Sequence, residues 1–127
     1  MSFQEIYAGG MYRDRQLDPI HIKCAPLNAT IGTNRQILAG VSGKRHRVMG
    51  WSIQAVGGTP GTFYLLSASG GTRLTQEITV PANTNGFSDS LNVTDDGYFE
   101  TNTGEGLFTT VTTADLNMNI FYITYTP

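Results

Sequence analysis

The residues of this chain with chemical potential are two histidines, one cysteine and a late group of acids. His21 and Cys24 stand three apart, the pairing of base and thiol that a nucleophilic mechanism uses. On a strand, however, an odd separation places them on opposite faces, so a small buried thiol is the expectation for Cys24. His46 lies in Lys44-Arg45-His46-Arg47, a basic cluster able to grip a phosphate, a carboxylate or an acidic partner. The simpler reading is that this cluster faces water where a strand begins. Asp89, Asp95, Asp96, Glu100 and Glu105 could gather oxygens around calcium, but Asp95-Asp96-Gly97 lacks the spacing of a recognised loop and reads as an Asp-Gly turn. Paired carboxylates can also hydrolyse glycosides, given a cleft with aromatic sugar platforms. Trp51 lies on an alternating apolar face and reads as a core anchor instead. Phosphate-loop, dinucleotide and zinc patterns are absent from the sequence, and Gly57-Gly58 precedes no helix. The expectation is a protein that is not an enzyme, with no catalytic residue, cofactor or metal.

Charge is unevenly divided along the chain. Residues 1–76 hold all eight bases and three acids, formally +5, whereas residues 77–127 hold seven acids and no base, formally −7. The net of −2 therefore hides a dipolar sequence. Opposite local signs disfavour indiscriminate binding of polyanions and favour docking on a complementary protein surface. Nucleic acid is not expected as a direct partner.

At 127 residues the chain fits one domain with a core of its own. Threonine and glycine dominate, a bias toward pleated strands and turns rather than helices. Charged residues make up only 14 %, against about 25 % in ordinary soluble domains, which suggests that a partner covers part of the surface. With Cys24 alone, no intrachain disulfide or cysteine-based zinc cluster can form. Residues 1–10 contain Glu5 and no apolar run, and no window approaches the ~20 apolar residues of a membrane span. These features predict a protein assembled in the cytoplasm, with no membrane partner.

The elements that must position these residues follow from periodicity. Residues 1–19 carry Gly9-Gly10, mixed charges and scattered apolar side chains with neither a helical stripe nor alternation. They read as an N-terminal arm ordered by contact, with a first strand folded back on its own domain as the alternative. From Ile20 the rhythm is short strand, turn, short strand. Ile20, Ile22 and Cys24 alternate up to Pro26, and residues 35–41 make a second candidate. In 45–56, Met49, Trp51, Ile53 and Ala55 share a face, with Val48 interrupting the other. Further strands are expected at 63–68, 74–80, 87–93, 98–101 and 107–111. The last, 117–125, is apolar on both faces, as in a strand central to a sheet or covered by a partner. Eight or nine such strands predict an all-β antiparallel sandwich of jelly-roll type, or a barrel.

Gly43-Lys44-Arg45-His46-Arg47-Val48 leads into an apolar strand, and Gly97-Tyr98-Phe99-Glu100-Thr101 is followed by Gly104-Glu105-Gly106-Leu107. Over about residues 44–127 this pattern resembles small β-sandwich structural proteins of tailed bacteriophage, of the head-decoration or cement type. Residues 1–43 fall outside the pattern. The resemblance implies a protein with no active site, a stiff domain that clamps the major capsid protein from outside the virion head.

The resulting expectation is an arm at 1–19 and a jelly-roll-like sandwich at 20–127 that binds the outside of a phage capsid and stabilises it as a homo-oligomer, dimer or trimer. Partner contacts are expected from Phe3, Tyr7, Tyr12, Arg13 and Arg15 in the arm, and from Lys44, Arg45 and Arg47. The alternative is a carbohydrate- or receptor-binding sandwich module of a phage tail or lectin-like protein.

Overall fold

A computed structural model of the chain describes residues 12–13, 19–83, 89–94 and 96–127. Every element in it is a strand. Two short pieces, β1 (Tyr12–Arg13) and β2 (Pro19–Ile20), pair with each other ahead of the sandwich. The sandwich comprises β3 (Lys23–Ala29), β4 (Gly32–Leu38), β5 (Arg45–Ala55), β6 (Gly61–Ser67), β7 (Thr72–Arg73) and β8 (Ile78–Val80). It continues with β9 (Asp89–Leu91), β10 (Phe99–Glu100), β11 (Leu107–Thr112) and β12 (Leu116–Tyr125). No helix of the described residues is long and apolar enough to cross a membrane.

The first sheet runs β3–β12–β5, with β9 and β10 sharing the far side of β5. The second runs β4–β11–β6, with β7 and β8 sharing the far side of β6. All pairings are antiparallel. Thus β3 meets β12, β4 meets β11, β5 meets β9 and β10, and β6 meets β7 and β8. This is a long hairpin rolled up so that its first arm pairs with its second, the jelly-roll arrangement. The β-rich composition produces it because alternating apolar residues from both sheets close one core. Trp51, Ile53, Phe63, Leu65, Leu116 and Ile120 lie at its centre, each no more than 4 % exposed.

Val48 marks a β-bulge. The β12–β5 register steps from Phe121 opposite Gly50 to Tyr122 opposite Val48, leaving Met49 unopposed. A bulge reverses the alternation, so Val48 and Trp51 both enter the core. Met49, expected on the Trp51 face, lies instead on the outside of the first sheet in a second cluster with Ile20 and Ile123. Through Ile20, β2 packs on β12. The central position expected for the last strand is observed, and its outer apolar residue Ile123 is covered by the chain's own Ile20.

The first sandwich strand differs in phase from its sequence reading. Ala25, Leu27 and Ala29 turn inward, whereas Ile22 and Cys24 are exposed, so the expected buried thiol is overturned. The strand also runs through Pro26, which stands opposite Asn119. An edge strand tolerates proline because half its backbone groups face away from the ladder.

Candidate functional site

The basic cluster opens β5, with Lys44 just before the strand and Arg45 and Arg47 facing outward on the first sheet. Glu100 on β10 stands directly across from Arg47, while Tyr125 on β12 stands across from Arg45. The Glu100 carboxylate therefore lies above β5 between the two arginines. Arg45 Nη1 donates to Oε1 at 3.0 Å, and Arg47 Nη2 donates to Oε2 at 3.1 Å. The Tyr125 hydroxyl donates to Oε2 as well, and Arg47 Nη1 donates to the carbonyl of Asp96. Arg45 Nε adds a bond to Thr103 Oγ1 at 3.0 Å, and Lys44 Nζ one to Thr126 Oγ1 at 3.2 Å.

Burial alone would push the Glu100 carboxyl up. Hydrogen bonds from Tyr125 and Arg47, with the charges of Arg47 and Arg45, outweigh it and hold the group below the usual carboxylate range. Burial, the bond to Glu100 and its charge push the Tyr125 phenol up. The cluster that could grip an acidic partner thus already holds an acid of the same chain.

His46 is neither a solvated residue nor an anion ligand, since it is 4 % exposed on the core side of β5. Its Nε2–H donates to the Ala39 carbonyl at 2.7 Å, and Nδ1 pairs with Thr124 Oγ1 at 2.7 Å. The ring also meets Tyr122 edge to face at 6.0 Å. Its backbone is held by Thr101 in both directions. His46 therefore ties the β4–β5 loop, β5 and β12 together.

The late acids disperse over the sandwich. Asp89 accepts from Trp51 Nε1 at 2.7 Å, Glu105 from Ser67 Oγ at 3.1 Å, and Asp115 from the Ile31 amide at 2.9 Å. Among the described residues no three histidine, cysteine, aspartate or glutamate side chains converge as a metal would need. Asp95 lies outside the described residues. In every one of these bonds the acid belongs to residues 77–127 and the donor to residues 1–76. Charge of opposite sign meets at Glu100, where an acid of residues 77–127 pairs with two bases of residues 1–76, because a jelly roll lays one arm of the chain beside the other.

Trp51 spans the core, edge to face with Phe63 of the opposite sheet at 5.5 Å and stacked on Phe99 at 6.1 Å. It is 4 % exposed, as a core anchor rather than a sugar platform requires.

Of the expected contact residues, Lys44, Arg45 and Arg47 come together at one end of the first sheet. Phe3, Tyr7 and Arg15 lie outside the described residues, and for Tyr12 and Arg13 only the strand they form is described. Comparison with known proteins adds little. No family model and no curated protein matches the chain. Among solved structures, a protein of Bacillus endospore appendages, a family of disulfide-linked pili, is 19 % identical with a TM-score of 0.49, covering 84 % of this chain and 86 % of that one. A structure of infectious bursal disease virus, Gt strain, is 13 % identical with a TM-score of 0.28, covering 94 % of this chain and 37 % of that one. These are distant likenesses and assign no function.

Proposed function

We propose that this chain is a non-enzymatic structural protein of a tailed-phage particle that binds the outside of the head and stabilises it. One observation carries the reading. Several of the side chains capable of chemistry serve as links between strands: Glu100 to Arg45, Arg47 and Tyr125, His46 to Ala39 and Thr124, Asp89 to Trp51. Such links stiffen a domain. Stiffness is what a clamp on a pressurised shell needs. The resemblance of residues 44–127 to decoration proteins points the same way.

In this reading the partner is the major capsid protein, met by the N-terminal arm through Phe3, Tyr7, Tyr12, Arg13 and Arg15. Lys44, Arg45 and Arg47, engaged within the domain, contribute less. Repetition over many shell sites lets weak individual contacts suffice. The full chain should co-sediment with mature phage heads stripped of minor proteins, saturating at a fixed ratio to the major capsid protein. Folded protein that stays in the supernatant would overturn the proposal.

A further inference from the structure

The bulge at Val48 and Met49 decides what the outer face of the first sheet carries. Counted from Trp51 by strict alternation, Met49, Arg47 and Arg45 would all point into the core. The extra residue reverses the phase, so Val48 and His46 enter and these three side chains turn outward. One bulge thus places both the Arg45–Glu100–Arg47 network and Met49 on the same face.

Met49 meets Ile123 of β12 and Ile20 of β2, and all three are 5 % exposed or less. None of them belongs to the main core. The Tyr125 ring packs against this cluster, while its hydroxyl donates to Glu100. Gly97 closes another side, since a Cβ there would stand 2.7 Å from Met49 Sδ. Arg47 Nη1 holds the residue before it, through the Asp96 carbonyl. The network therefore braces two walls of an apolar socket, and Ile20 fills it. Ile20 is also the last residue of β2, which pairs with β1 and joins neither sheet of the sandwich. The β1–β2 pair is fixed to the domain where Ile20 enters the socket.

We infer that the Met49–Ile123 socket is the anchor of the N-terminal arm, and that Ile20 is the positioning residue that fixes where the arm leaves the domain. An arm pinned at its root loses less freedom on meeting a partner, so its contacts hold more tightly than those of a loose tether. Because the socket shares no residue with the main core, emptying it releases the arm and leaves the sandwich folded. This role rests on the arm being the contact element proposed above, and it names the residues that aim it.

Amide hydrogen exchange of the full chain, read by mass spectrometry, should separate the two units. In Ile20→Ser, exchange across residues 12–20 should quicken about tenfold or more, the weight of one buried aliphatic side chain, while β5 and β12 keep wild-type protection. Met49→Ala should loosen the same residues from the other side of the contact, and Ile20→Val should stay near the wild type. Head binding should follow: about tenfold or more weaker in Ile20→Ser and near wild type in Ile20→Val, with the melting temperature of the sandwich unchanged in both. Unchanged exchange at 12–20 in Ile20→Ser would overturn the anchor. So would a loss of protection that spreads through β5 and β12, because the socket would then be part of a single core. Quickened exchange with undiminished head binding would overturn the positioning role. A wild type that binds no heads removes the capsid reading alone, and the exchange results still decide whether Ile20 anchors the arm.

Discussion

Arg47 and Glu100 face each other across the β5–β10 pair, Nη2 to Oε2 at 3.1 Å, although 53 positions separate them in sequence. The same carboxylate holds Arg45 through its other oxygen. A base from the first arm and an acid from the second meet because the jelly roll lays those arms side by side. The contact therefore reports on the topology itself.

Glu100→Gln should lower stability at pH 7 by about 1–2 kcal/mol, a charge-assisted value discounted for partial exposure. The folded pKa of Glu100 is depressed, so its contribution is present above the ordinary value of 4.5 and is lost as pH falls through the folded value. Tyr125 has a raised pKa, so its contribution is present below 10.0 and is lost as pH rises through the folded value. Denaturant melts from acid to alkaline pH should show both losses in the wild type, with a flatter acid limb in Glu100→Gln.

Trp51→Ala should cost about 3–5 kcal/mol, as for a large aromatic removed from a closed core. In the wild type Trp51 fluorescence should be blue-shifted and resistant to acrylamide. Emission typical of water-exposed tryptophan would contradict the core placement and revive the sugar-platform reading.

Gly50→Ala should destabilise by about 1–3 kcal/mol, because a Cβ there would stand 2.5 Å from the Leu91 carbonyl oxygen, a rigid backbone atom. Gly43→Ala meets open space but sits at a φ of +73°, so its cost should be about 1–2 kcal/mol from backbone strain alone. Chemical denaturation of the two variants, with the crowded site tested also as Gly50→Ser, separates crowding from conformation.

Arg13→Ala combined with Arg15→Ala should weaken head binding without changing the melting temperature of the sandwich. Binding that is unchanged would count against the arm as the contact element.

Much of this architecture was legible in the sequence. The alternation of Trp51, Ile53 and Ala55, the two-faced apolar strand at 117–125 and the glycine-rich turns all predict a sandwich. Val48 breaks the alternation at the residue pair where the bulge forms, yet the phase reversal that sends Met49 outward depends on β12 and is not a local property. The phase of β3 was hidden for a different reason: its inward face is filled mainly by Ala25 and Ala29, which give a weaker signal than Ile20 and Ile22. The charge asymmetry was visible as composition. Its use in joining Arg45 and Arg47 to Glu100 depends on which strands become neighbours, and His46 was misread because its partners Ala39 and Thr124 come from separate elements.

The most direct test of the structural role is cryo-electron microscopy of stripped phage heads saturated with the full chain. The account predicts a sandwich on the outer surface at a fixed set of capsid sites, with density for the first ~18 residues running onto the major capsid protein. Heads without added density, or sandwiches seated by the Arg45–Arg47 end with the arm pointing away from the shell, would contradict it.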